Sequence, residues 1–81
     1  MEKASNQNAL YQDYLIDLSF LLKEMAIEAK KASDKEKTDF SVGYLSGFHR
    51  VISLMQQQAE SFGIPLDILG LDGIDPNLDL V

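Results

Sequence analysis

His49 is the one histidine of this 81-residue chain, and Ser46 and Ser53 fall within a helical turn of it. A Ser–His pair becomes nucleophilic only when a carboxylate orients the imidazole and donors await an oxyanion. Neither Asp nor Glu stands three or four residues from His49, so it reads as a solvated residue on a polar helix face. Asp13 with Asp17, and Glu24 with Glu28, place carboxylates at helical spacing. A di-metal bundle needs E-x-x-H sets facing inward, and none occurs. Asp75-Pro76-Asn77-Leu78-Asp79 opens like a calcium loop, but Leu80 stands where Gly is required and no bidentate Glu follows. Walker, dinucleotide and zinc signatures are all missing. The expectation is a protein that is not an enzyme and takes no cofactor or metal.

Composition narrows the remaining classes. One small domain of 81 residues hides roughly 60–65% of its unfolded surface, near the lower end for a self-sufficient core. It has no Cys, so no disulfide or thiolate site supports it. The polar start of the sequence lacks an apolar leader, and no apolar run approaches the roughly 20 residues that span a bilayer. A cytoplasmic location away from membranes is therefore expected. The net charge is -6, and residues 51–81 hold Glu60, Asp67, Asp72, Asp75 and Asp79 without any Lys or Arg. That field repels phosphate backbones and argues against nucleic-acid binding.

These residues must be carried by helices. From about 8 to 32 there is no Gly or Pro, and Tyr11, Leu15, Leu18, Leu22, Met25, Ala29 and Ala32 recur at steps of four and three. The spacing predicts a first helix with one apolar seam. Ser33-Asp34-Lys35-Glu36 has the form of a capping box, with Thr38-Asp39 as a competing start. A second helix over about 34–62 follows, with Phe40, Tyr44, Phe48, Val51, Met55, Ala59 and Phe62 on one face. A single continuous helix through the turn is the disfavoured alternative on length. Phe62-Gly63-Ile64-Pro65 is a stop signal. The extension over 63–81 is half aliphatic, predicts a turn closed by Gly70, and offers Asp75-Pro76 as a cap with Pro at the first helical position.

Two surfaces need covering. Ile16, Phe20 and Ile27 form a second stripe opposite the first seam, to be covered by the extension, which is long enough to run back along it, by a second copy in a two-fold four-helix bundle, or by both. Gly43 and Gly47 predict a close crossing, either with another chain or the extension, or within the hairpin itself. The expected fold is all-α: an antiparallel helical hairpin with a C-terminal extension packing back on it, paired as a homodimer into a four-helix bundle. The expected function is a non-catalytic, self-associating protein-interaction module. The alternative is an acidic inhibitor of the immunity or antitoxin kind, binding a basic protein partner. Candidate contact residues are Ile16, Phe20, Ile27, Gly43, Gly47, Leu66, Leu69, Leu71, Asp72, Asp75 and Asp79.

Overall fold

A computed structural model describes the backbone of residues 2–81 and the side chains of residues 7–81. Two long helices, α1 (Glu2–Lys35) and α2 (Asp39–Phe62), form a hairpin. A 3-10 turn (Leu66–Leu69) and the single-turn α3 (Pro76–Asp79) follow. No Gly or Pro falls within α1, which exceeds the expected 8–32 at both ends. Ser33 is not a cap: it lies inside α1, with its side chain buried.

The break falls at residues 36–38, and Thr38 caps α2. Ser41 N–H donates to Thr38 Oγ1 at 3.0 Å, and Thr38 N–H donates to Ser41 Oγ at 2.9 Å. The Ser41 hydroxyl also donates to the Glu36 carbonyl, tying the connection to the new helix. This reciprocal box satisfies donors that a helix start otherwise leaves open. At the far end Gly63 adopts φ 72°, and Ile64 N–H reaches the Ala59 carbonyl at 2.8 Å. That six-to-one bond is the Schellman stop.

The extension then turns back and docks on its own hairpin. Gln56 donates to the Leu71 carbonyl at 3.0 Å and to the Ile74 carbonyl at 2.8 Å. His49 Nε2 pairs with Asn77 Oδ1 at 3.0 Å, and Lys30 Nζ donates to the Val81 carbonyl at 2.6 Å. Gly70 lies against Phe20 and Gly73 beside Lys23, so the extension runs parallel to α1 toward Val81. The buried core joins Ala26, Ala29, Leu45, Ile52 and Ala59 to Leu69, Leu71, Ile74 and Leu80.

The buried line of α1 is displaced from the expected seam. It passes through Ser19, Ala26, Ala29 and Ser33. Large seam residues Tyr11, Leu15 and Met25 remain 42–64% exposed. The physical reason is that α1 meets two neighbours at once. With α2 on one flank and the extension on the other, the line facing both falls between the two apolar stripes. Small side chains suit that position because they let both neighbours approach, and Ser19 satisfies its hydroxyl on the Leu15 carbonyl at 2.8 Å.

Candidate functional site

At 100° per residue, the residues of α2 that hold the extension, His49 and Gln56, lie to one side of its buried line Leu45–Ile52–Ala59. Phe40, Tyr44, Val51, Leu54 and Phe62 lie to the other side. On α1 the same division sets Ile16, Phe20, Lys23 and Lys30 beneath the extension. Tyr11, Tyr14, Leu18, Leu21 and Met25 lie away from it, and Leu15 stands at the boundary, beside Ile64 and Leu69. The hairpin is therefore covered on one face by its own C-terminal segment and bare on the other.

The bare face is continuous across both helices. Leu15 of α1 and Leu54, Met55, Gln58, Ala59 and Phe62 of α2 line one shallow groove, reached also by Ile64 and Leu69, with almost no polar lining. Phe40 stacks on Tyr44 with ring centroids 5.7 Å apart, and Tyr44 meets Phe48 edge-on at 5.2 Å. Phe40 is nevertheless 79% exposed and Phe62 76%. Between Leu10 and Ala32 on α1, and between Phe40 and Phe62 on α2, this sector carries no charged residue. In a chain that is 25% charged, such a sector is a contiguous apolar surface rather than scattered exposure.

The residues singled out in the sequence separate into four groups. Ile16, Leu66, Leu69 and Leu71 contribute to or pack against the core under the extension. Phe20 rests on Gly70 but stays 46% exposed, and Ile27 is 36% exposed. Gly43 and Gly47 open onto the bare side, where a Cβ would meet nothing within 4 Å. Close packing inside the hairpin, one reading of that pair, is thus replaced by open space. Asp75 caps α3 by accepting from Asn77 N–H at 3.0 Å, and Asp79 accepts from Asp75 N–H at 2.7 Å. Those two carboxylates serve the extension's own backbone, whereas Asp72 is exposed.

For chemistry, His49 contacts the Asn77 amide oxygen rather than a carboxylate, so its partner holds the extension in place and builds no relay. Among the described residues no three His, Cys, Asp or Glu side chains gather as metal ligands. No helix among them is long and apolar enough to cross a membrane. The aromatic-rich face was missed in the sequence because its residues were assigned to the hairpin's internal seam. Their number, more than two helices can cover for each other, was the available signal. No family model, curated protein or solved structure matches the chain.

Proposed function

We propose that this chain is a non-catalytic protein-interaction module whose working surface is the bare face of the hairpin. The observation that carries the reading is an uncharged, aromatic-rich sector shared by the two helices, from Tyr11 to Met25 on α1 and from Phe40 to Phe62 on α2, opposite a face that the chain covers for itself. Leaving a large apolar side chain wet forgoes about 1.5–3 kcal/mol. With ten such exposed side chains on this face among the described residues, contact adds stability, so binding and folding are linked.

The test is the apparent mass of the native protein in a gentle extract of its host, read by gel filtration against the chain's 9.1 kDa. An assembly clearly larger than one chain, reduced to one-chain size by Leu54→Glu, is the expected result. Elution of the unaltered protein at single-chain size would overturn the reading.

A second reading, an acidic inhibitor docking on a basic protein, draws on the charge of residues 51–81. With Asp75 and Asp79 engaged locally, it depends on Glu60, Asp67 and Asp72, all exposed. Complex formation by this route should weaken steeply with added salt, whereas contact through the apolar face should not.

A further inference from the structure

We infer that the occupant of the bare face is a second copy of this chain, the two hairpins packing face to face about a two-fold axis as a four-helix bundle. This inference rests on the reading that the bare face is the working surface, and it names the partner.

Area is the first argument. A compact protein of 9.1 kDa exposes about 4,900 Å². This chain exposes 6015 Å², about 1,100 Å² more. A stable interface takes about 800 Å² from each partner, so the open surface is ample for one partner, the overhang of the 34-residue α1 past the 24-residue α2 accounting for part of the excess. The shape is long and thin, its length being that of α1, whose 34 residues span about 51 Å. The radius of gyration is 14.9 Å, where 81 compact residues give about 11.7 Å, and the extents are 52 × 20 × 16 Å. The smallest dimension is about that of two packed layers, one hairpin and one extension, and a bundle requires a further layer of helices.

The form of the face is the second argument. Its occupant must present two long apolar stripes side by side, matching α2's roughly 36 Å of helix. A second hairpin of the same sequence presents that shape, and an isologous pairing lets each stripe meet its complement twice. Gly43 and Gly47, open within one chain, then receive the neighbouring helix that a glycine-bearing surface admits.

Charge is the third. The chain is acidic, and two like-charged copies repel unless their charges lie away from the contact. Here the bare sector is uncharged, while Glu60, Asp67, Asp72, Asp75 and Asp79 sit off it, on the flank of α2 and on the extension. Face-to-face pairing turns both extensions outward and keeps their carboxylates far apart.

The test uses the purified full-length chain, with mass read by light scattering over a wide dilution series. The expected result is a species of twice 9.1 kDa that dissociates on dilution. Leu54→Glu, which inserts a carboxylate at a half-exposed position of the face, should raise the dissociation constant about tenfold or more while helicity by circular dichroism is kept. Asp67→Lys on the extension should leave the dimer in place. Should Leu54→Glu fail to fold, a photo-crosslinking phenylalanine analogue at Tyr44 replaces it, expected to join two copies on irradiation. A mass of 9.1 kDa at every concentration overturns the inference, as does a dimer indifferent to Leu54→Glu or a Tyr44 analogue that joins none. A single-chain mass in purified form beside a larger assembly in the host extract would sink the second copy alone. Single-chain masses in both would sink the interaction reading with it.

Discussion

Gln56 shows how much of the fold hangs on single polar contacts. Its amide is the donor to two carbonyls of the extension, at Leu71 and Ile74, both buried residues. Gln56→Glu keeps the shape and removes the donor, leaving carbonyls facing a carboxylate. A loss of about 1–3 kcal/mol is expected, read as a lowered urea midpoint with an unchanged slope. Gly70 is under a different constraint. It sits at φ 71°, and an added Cβ would lie 2.5 Å from the Phe20 ring. Gly70→Ala combines left-handed strain with a clash and should cost about 2 kcal/mol or more. Phe20→Leu in the same chain should recover part of that loss, and no recovery would mean that strain alone is responsible. The left-handed turn at Gly70 was readable from Gly following an apolar turn. The partner of Gln56 was not, because a glutamine within Gln56-Gln57-Gln58 looks like any other until the chain folds back on it.

At the scale of elements, termini were more legible than faces. Gly63-Ile64-Pro65 and Asp75-Pro76 each carry residues whose conformational limits leave one role, and both took it. The start of α2 was ambiguous because two polar tetrads compete. Ser33-x-x-Glu36 has the better motif, yet Ser33 is needed in the α1 core, and Thr38 prevails with Ser41 completing its box. Thr38→Ala should therefore lower stability by about 1 kcal/mol, whereas Glu36→Ala should be close to neutral; equal losses would restore the earlier cap. The extension is the element with the largest role for its length. Leu69, Leu71, Ile74 and Leu80 are four of the nine buried core residues among the described ones, and at about 1.5–3 kcal/mol each they contribute on the order of 6–12 kcal/mol. That is comparable to the whole stability of a small domain. A chain ending at Gly63 should lose its cooperative melting transition; a retained transition would show that the hairpin stands without its cover.

On the scale of the molecule, a periodic sequence specifies apolar stripes but not which neighbour each will meet. The two stripes of α1, and the return of the extension along the second of them, were visible; the displacement of the buried line to Ser19, Ala26, Ala29 and Ser33 between them was not, because it depends on both neighbours closing on α1 at once. The consequence is a protein whose core is shared among three segments and whose largest aromatic surface faces outward. If two copies complete each other there, folding and pairing are linked, and stability must depend on concentration. A tenfold rise in protein then adds about 1.4 kcal/mol per dimer, which for a pair of this size raises the melting temperature by roughly 3–6 °C. The measurement is a set of thermal melts by circular dichroism at several concentrations. Leu54→Glu should flatten the dependence and lower the melting temperature at high concentration, because it removes the pairing and leaves the single hairpin. A melting temperature that stays constant across the series for the unaltered chain would mean that one copy, with its extension as cover, supplies all the stability the protein has.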